Sequence, residues 1–494
     1  MFRRAAPKGR LFLFQEPTKV AVNYLHGLET IELNDGLRPV QTIKSSVIGI
    51  VGTAPDADPA LFPLNTPVAL FADPIKANKL GAGGTLRDSV NAVYSQGSAT
   101  VVVIRVTEGA DLAHTWANVV GTVVAKTGAW ALLKARPMLR LIPKILIAPG
   151  LTGARPSNGI VSANVGNGGA GYDQLTKVVF DAAPAAGRTA EGVVQVVGGE
   201  VTGLTITDPG FGYTAAPTAT IVGAGAGATV TTTLGTVANP VGKVLEALAV
   251  RLRAVAFVDG PGTTYEAAIS ARSDFGSQRV MVIDPGVLVY DTAAAAYVNR
   301  PASGYAAGIQ ARVDKEKGFW YSFSNEEILN IGGPTRAVDF MYSDPDSEAN
   351  QLNYNQVTTI IHDDGFRFWG LRNTGNDPLW AFMSVRRTAD MIYESLEQAH
   401  RVFLDRPFNY ALLDNIQNSV NAYLRQLRAR GALINGTCMI DPTVNTKDTF
   451  VNGELIVDFD LEPPAPLEHL TFRARRNPNY YTDFIEEFAS SVVA

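Results

Sequence analysis

The sequence predicts a multidomain α/β and α+β protein: an α/β core sheet, an all-β domain inserted into it, and a mixed α+β C-terminal domain. Three observations carry this. Short unbroken apolar runs such as Val47-Ile-Gly-Ile-Val51 and Thr100-Val-Val-Val-Ile-Arg-Val106 alternate with helix-length segments, the pattern of a mostly parallel sheet buried on both faces. Residues 151–239 break that alternation with a stretch rich in Gly, Thr, Val and Ala, almost without charge and without a helical period. From residue 332 onward, strands and long helices mix. At 494 residues the chain is too long for one core of ordinary size, and about two to four domains are expected.

In chain order, residues 1–40 read as an N-terminal arm or linker. Lys19-Val-Ala-Val-Asn-Tyr24 and Leu28-Glu-Thr-Ile-Glu-Leu33 are strand-like, and the second leads into an Asn34-Asp-Gly36 turn. Without a core of its own, such a segment orders only against a sheet edge. The core takes residues 41–150 plus 240–331. Strands are expected at Val47-Ile-Gly-Ile-Val51, at residues 100–106, at Lys144-Ile-Leu-Ile-Ala148, at Ala254-Val-Ala-Phe-Val258 and at Arg279-Val-Met-Val-Ile283. Helices are expected over residues 85–94, 241–253 and 264–272, with a further helical stretch before Lys144.

The insertion repeats itself. Gly169-x-Gly171-Tyr172 with Phe180 eight residues after the Tyr matches Gly210-x-Gly212-Tyr213 with Ile221 at the same offset, and Val165 aligns with Ile206. Glycines at such positions suit turns with positive φ, with each Tyr packed on its own hairpin. The C-terminal domain, residues 332–480, opens with a hairpin of Gln356-Val-Thr-Thr-Ile-Ile-His362 and Phe366-Arg-Phe-Trp369 around Asp363-Asp-Gly365. Helices over residues 388–404 and 412–430 follow. An alternating strand, Glu454-Leu-Ile-Val-Asp-Phe-Asp-Leu461, and a last one, His469-Leu-Thr-Phe-Arg473, lead into a C-terminal arm, residues 481–494.

Several function classes are excluded by composition. Net charge is −5, against a dedicated nucleic-acid binder, which carries a basic face. No apolar run approaches the ~20 residues that cross a bilayer, so membrane insertion is not expected. Leu11-Phe-Leu-Phe14 behind the N-terminal basic residues is too short for a signal peptide, and the chain is expected to stay in the cytoplasm where it is made. The single cysteine, Cys438, leaves no intrachain disulfide and no multi-cysteine zinc site. It reads as a small buried side chain, with a bridge to another subunit as the alternative. The two ends differ in charge: Arg3, Arg4, Lys8, Arg10 and Lys19 stand against Glu16 in the first 20 residues, and Asp483, Glu486 and Glu487 stand unopposed in the last dozen.

No enzyme signature survives inspection. The five histidines, at 26, 114, 362, 400 and 469, have no metal-ligand spacing. His362-Asp363-Asp364 sits at the hairpin tip, where Asp and Gly serve the turn. Gly81-Ala-Gly-Gly-Thr85 precedes a helix but lacks the Gly-Lys-Ser/Thr ending of a phosphate loop and a strand leading into it. No catalytic residue, metal site or cofactor is expected. Arg386, Arg387 and Asp390 read as a helix N-terminus with local ion pairs, or as a salt bridge between subunits. The helix over residues 412–430 is amphipathic: Leu412, Leu413, Ile416, Val420, Tyr423, Leu424 and Leu427 form an apolar stripe, and Asn418, Asn421, Arg425 and Arg428 lie opposite, with Arg430 close by.

One stretch is specific enough to suggest a family. Residues 365–409 read GFRFWGLRNTGNDPLWAFMSVRRTADMIYESLEQAHRVFLDRPFN. Upstream, in order, come Tyr24-Leu-His-Gly27, Asn34-Asp-Gly36, Arg38-Pro39, Pro301-Ala-Ser-Gly304, Ala311-Arg312, Gly318-Phe-Trp320 and Ser324-Asn325. Together they closely resemble the contractile phage tail sheath proteins over nearly the whole chain. The first twenty or so residues and the central insertion depart from that pattern.

The resemblance implies a structural subunit of a virion tail sheath, assembled in the host cytoplasm. Such a subunit polymerises helically around an inner tail tube and contracts to drive the tube through the host envelope for genome ejection. Its partners would be further copies of itself, the tail tube protein, and the baseplate and tail terminator proteins. Arms from neighbouring subunits would complete the C-terminal domain by strand addition, with Val20, Val22, Tyr24, Phe484 and Ile485 as the arm-strand candidates. By the same resemblance Asn421, Arg425 and Arg428 are candidates for facing the tube. The alternatives are an adhesin or receptor-binding role for the insertion and a nucleotide-binding α/β enzyme.

Overall fold

The computed structural model describes residues 40–184 and 187–493. The chain enters the core through β1 (Val47–Thr53), β2 (Pro67–Phe71) and the short α1 (Pro74–Asn78). It continues as α2 (Leu86–Gln96), β3 (Thr100–Val106), α3 (Leu112–Val120), α4 (Ala135–Leu139) and β4 (Ile145–Ile147). Six strands build the insertion: β5 (Gly159–Ala170), β6 (Lys177–Phe180), β7 (Glu191–Val197), β8 (Glu200–Asp208), β9 (Ala219–Val222) and β10 (Ala226–Gly235). The core resumes with α5 (Pro240–Leu252), β11 (Val255–Asp259), α6 (Tyr265–Arg272), β12 (Val280–Ile283), β13 (Val287–Asp291), β14 (Ala296–Arg300) and α7 (Ser303–Glu316). Then come β15 (Gly333–Pro334), α8 (Glu348–Tyr354), β16 (Val357–His362) and β17 (Phe366–Trp369). The remainder is α9 (Met383–His400), α10 (Tyr410–Ala429), β18 (Cys438–Met439), α11 (Lys447–Val451), β19 (Asp458–Phe459) and α12 (Tyr480–Val493).

The core is an eight-stranded sheet in the order β17-β16-β12-β11-β4-β1-β3-β2. Neighbours from β16 through β3 pair in parallel. The edge strands β2 and β17 are antiparallel. Alternate residues of each strand face opposite sides, which explains the unbroken apolar runs. Ile48, Ile50, Val101 and Val103 join a cluster closed by Leu86 and Val90 of α2 and Ile309 of α7. Val47, Val51, Val102 and Ile104 join the opposite one, closed by Trp116 of α3 and Leu245 of α5. Gly304 and Gly308 let α7 lie against α2: a Cβ on Gly308 would stand 2.7 Å from the Val93 carbonyl oxygen, and one on Gly304 3.0 Å from Ala92 Cβ.

The hairpin at residues 356–369 belongs to this sheet, because β16 pairs in parallel with β12. The domain boundary expected at residue 332 is therefore corrected: the core extends through β17. Sequence pattern alone could not assign the hairpin, since a buried strand reads the same in either domain.

In the insertion, the two repeats interlock about a pseudo-twofold arrangement. The first strand of each repeat pairs with the last strand of the other (β5 with β10, β8 with β7), and the middle strands β6 and β9 pair together. The tyrosines act across repeats. The Tyr172 hydroxyl accepts from Ala228 N–H at 3.2 Å, and the Tyr213 hydroxyl accepts from Ala190 N–H at 2.8 Å. Each thus secures the strand contributed by the other repeat, which corrects the expectation that each Tyr packs on its own hairpin. Gly169 (φ 63°) and Gly210 (φ 59°) are equivalent too. A Cβ there would meet Ala228 N at 2.6 Å and Ala190 N at 2.8 Å respectively.

The insertion is seated on the core. The Phe211 and Trp116 rings pack nearly perpendicular with their centres 5.9 Å apart, and Trp116 Nε1–H donates to the Leu151 carbonyl. Asn239 holds both ends: its side-chain amide donates to the carbonyls of Leu151 and Ala154, and its oxygen caps α5 at Gly242 N–H.

The C-terminal domain packs α9 against α10. Met391, Ile392 and Leu396 meet Val420, Tyr423, Leu424 and Leu427, with Phe319 and Cys438 completing the cluster. Burial pushes the Cys438 thiol up to about 11. Two expected strands are corrected. Of residues 454–461 only β19 pairs, with the two-residue β18, and residues 469–473 have no regular structure and are exposed. Both segments have strand-forming side chains, but a strand exists only where a partner edge is present.

Candidate assembly surfaces

Helix α9 carries the chemistry that joins the C-terminal domain to the core. Arg387 grips Asp314 of α7 with two hydrogen bonds, 2.7 and 3.0 Å, both side chains being almost wholly buried. One turn on, Asp390 accepts from Arg386 at 2.8 Å and from both guanidinium nitrogens of Arg279, which precedes β12. Arg386 also lies over the Trp380 ring, 4.1 Å from its centre. Farther along, Glu394 pairs with Lys144, and Glu397 with Arg253 at 2.6 Å. Burial pushes the Lys144 ammonium below its ordinary pKa, and the Glu394 carboxylate offsets this only in part.

The sequence reading of local ion pairs is thus correct in kind. The capping role is not, since the N-cap is Phe382 and makes no side-chain cap. Paired and buried within the chain, these groups are not available for a bridge between subunits.

Helix α10 presents Arg425 and Arg428 on its exposed face. Arg428 reaches the Asn435 side chain at 3.5 Å, and among the described residues Arg425 has no ion-pair partner. Asn421 is half-buried and engaged within the chain. Its amide donates to the Cys438 carbonyl at 3.0 Å, and its oxygen accepts from Cys438 N–H at 2.9 Å, so it fixes β18 to the helix. Nothing in the helical period distinguished it from its exposed neighbours.

Phe484 and Ile485 are corrected as strand residues. They lie on α12, where Tyr480, Tyr481, Phe484, Ile485 and Phe488 recur at helical spacing and Asp483 sits in the first turn. That 3.6-residue period is a helical signal in the sequence itself. Val20, Val22 and Tyr24 lie outside the described residues.

The candidate chemistry excluded from sequence resolves into structure. His362, Asp363 and Gly365 form the β16–β17 turn, with Asp364 at φ 48°. Tyr342 donates to the Asp363 carboxylate. Gly81 and Gly84 adopt positive φ in a loop after α1, and Gly83 N–H donates to Asp56 at 2.8 Å. Among the described residues no group of His, Cys, Asp and Glu could hold a metal ion, and no helix is long and apolar enough to cross a membrane.

Motif residues noted in the sequence have structural reasons. Ser303 donates both its N–H (2.8 Å) and its hydroxyl (2.7 Å) to buried Asp259 at the end of β11. Arg312 ties α7 to the Gln96 and Glu327 carbonyls. Trp320 lies under the Arg430 guanidinium.

The chain is a mostly parallel core sheet with an inserted β domain and a helical C-terminal domain, joined by buried ion pairs. Solved structures of contractile sheaths and their baseplates share this fold. Similarity reaches a TM-score of 0.59 at 16% identity with a chain of the anti-feeding prophage baseplate in its contracted state, covering 92% of this chain and 98% of that one. The sheath of an extracellular contractile injection system in the contracted state gives 0.57 at 16% identity, covering 93% and 99%.

The family follows from sequence. Residues 234–374 match the phage tail sheath protein central domain, and residues 375–476 match the phage tail sheath C-terminal domain. The tail sheath protein of Burkholderia phage BcepMu is 35% identical over 490 residues, covering 93% of this chain and 98% of that protein. The tail sheath protein of Escherichia phage P2 is 28% identical, covering 95% and 100%. The chain belongs to the contractile phage tail sheath family: it is a structural sheath subunit, not an enzyme. The junction between the two family domains, at residue 375, agrees with a core that ends after β17 (Phe366–Trp369).

Proposed function

We propose that this chain polymerises as stacked rings around an inner tail tube in the virion, and that sheath contraction drives the tube through the host envelope for genome ejection. The observation that carries the polymer is the unfinished sheet of the C-terminal domain. Strands β18 and β19 pair over only two residues each, and Met439 is 57% exposed. A two-stranded sheet of that size is not stable alone. The same chain supplies an exposed, unpaired strand-forming segment at residues 469–473, and the sequence offers strand-like runs at residues 19–24 and 28–33. Strands donated by neighbouring copies complete the sheet, with backbone hydrogen bonds as the link. The energy is conformational: the extended sheath is kinetically trapped, and contraction buries further surface. At about 25 cal/mol per Å² of apolar area, a few hundred Å² per subunit gives several kcal/mol. Baseplate and terminator proteins bound the polymer at its ends.

The exposed guanidinium groups of Arg425 and Arg428 face the tube in this reading and meet acidic groups on it. Electron microscopy of the purified full-length chain tests the polymer: striated hollow tubes are expected, and discrete monomers at high concentration would sink the reading. Arg425→Glu with Arg428→Glu should leave self-polymerisation intact and abolish co-assembly with tube protein. Unchanged co-assembly would move the tube contact elsewhere.

A further inference from the structure

Two adjoining depressions flank the C-terminal half of α9. One, of about 920 Å³, is apolar and is lined by Phe403, Leu404, Phe408, Leu412, Ile416 and Val457 among others. The second, of about 1050 Å³, shares Glu397 and Leu404 with the first and is rimmed by cations. Of these, Lys126, Arg136, Arg140, Arg251 and Arg401 make no ion pair among the described residues, while the carboxylates present, Glu394 and Glu397, are already held by Lys144 and Arg253. The result is an apolar groove beside an uncompensated positive field. Burying a cluster of that charge without a counter-charge is unfavourable, so the fitting occupant is amphipathic and acidic.

Helix α12 has that chemistry. Its apolar arc is open to solvent, with Phe484 63%, Ile485 62% and Phe488 61% exposed. Asp483, Glu486 and Glu487 occupy the other arc with no basic residue among them. At 100° per residue, Glu487 falls beside Tyr480 at the edge of the apolar arc. A helix seated apolar side down therefore directs carboxylates to one flank, where the basic depression adjoins the groove. From Glu462, bridged to Asn435, residues 463–479 run without regular structure to α12; Pro463 is buried and Glu468 is held by Arg372 at 2.6 and 2.8 Å, and residues 469–479 beyond it are exposed. Fully extended, residues 469–479 span up to about 36 Å, enough to leave the subunit.

We infer that α12 of one copy docks in the Phe403–Ile416 groove of a second copy, its carboxylates against Arg401 and the neighbouring cations. The inference rests on the sheath reading for the presence of a neighbour. It assigns the last residues to a helix-in-groove contact separate from strand addition. The helix anchors the arm at its end, while the linker before it is left free to pair as a strand.

Mixing two variants of the full chain that each add one cysteine, Phe488→Cys and Leu404→Cys, under mild oxidation tests this. Both positions are exposed, and native Cys438 is buried with its thiol pushed up to about 11. A covalent dimer is expected, in clear excess over that from Phe488→Cys mixed with Ile75→Cys, whose partner is 79% exposed on α1. No excess over that control overturns the inference. So does an intrachain bridge in the double variant together with no mixed dimer, which would seat the helix in its own subunit. Arg401→Glu and Glu487→Arg should each weaken subunit association roughly two- to fivefold, and their combination should restore it. Additive weakening overturns the ion-pair assignment. Tube formation by the wild type, read separately by microscopy, distinguishes failure of this contact from failure of the sheath reading.

Discussion

Arg279 and Asp390 join the two halves of the molecule. The Arg279 guanidinium, just ahead of β12 in the core sheet, engages both carboxylate oxygens of Asp390 on α9. Arg386 supplies a further donor one turn earlier, and the Asp390 side chain is only 2% exposed. A carboxylate so placed is tolerable because both of its oxygens accept from guanidinium groups. The neighbouring Arg387–Asp314 pair repeats the device toward α7. Charged fork-to-fork pairs are directional, so they fix the orientation of α9 on the core more narrowly than an apolar contact could.

Removing the anion should therefore cost far more than a surface pair does. Asp390→Ala leaves Arg279 and Arg386 buried without a counter-charge, and we expect a loss of about 3–5 kcal/mol, read as a fall in the urea midpoint of unassembled protein. A double replacement of Arg279 and Asp390 by apolar residues of similar volume should recover much of that loss. If Asp390→Ala shifts the midpoint no more than a rim substitution such as Asp377→Ala, the pair is not a structural joint.

How much of this was legible follows from the kind of signal each element carries. β1 and β3 were readable because β-branched runs buried on both faces have no competing interpretation at that length. The interlocked repeats were readable as repeats, since Gly169 and Gly210 have the same backbone requirement. Their mutual pairing was not, because a repeat does not state its partner. Residues 454–461 alternate as a strand does, yet in this chain they find only Cys438–Met439 to pair with, and alternation without an edge stays extended. Asn421 could not be told from Arg425 by helical position: its role depends on a loop that returns to it seventeen residues later. Phe484 and Ile485 lie in a terminal segment without a core of its own, which reads as an arm strand until the 3.6-residue spacing of Tyr480, Tyr481, Phe484, Ile485 and Phe488 is weighed. The ion pairs of α9 were anticipated only as local, since Arg279 and Asp314 lie far away in sequence.

Asp259 offers a pH test. It is fully buried, and desolvation raises its pKa above the ordinary carboxylate range, although Ser303, Thr152 and Gly150 all donate to it and partly oppose the shift. For a carboxyl raised in the folded state, stability is fully present below the unfolded pKa of about 3.9 and is lost as pH rises through the folded value. The difference in unfolding free energy between wild type and Asp259→Asn should thus fall as pH climbs from about 4, and level off above the raised pKa. Urea midpoints for both proteins across that range give the slope. A difference that is flat, or that grows with pH, would show the hydrogen bonds outweighing burial.

The insertion should be removable without loss of assembly. Its two ends already meet: Val237 N–H donates to the Pro156 carbonyl at 2.9 Å, so closing the gap from Pro156 to Val237 with two glycines requires little loop entropy. Asn239, Leu151 and Ala154, which organise the junction, all remain. The cost lies in Phe211, which is 2% exposed against Trp116. Losing an aromatic of that size from a packed contact is worth up to about 3–5 kcal/mol, less here because its seat opens to solvent. We expect deletion of residues 157–236 to lower the thermal midpoint modestly while tubes of unchanged diameter still form, since neither the C-terminal sheet nor the α9–α10 groove touches the removed strands. Loss of tubes from a deletion variant that still unfolds cooperatively would place the insertion in the lattice and remove it from the role of a surface addition.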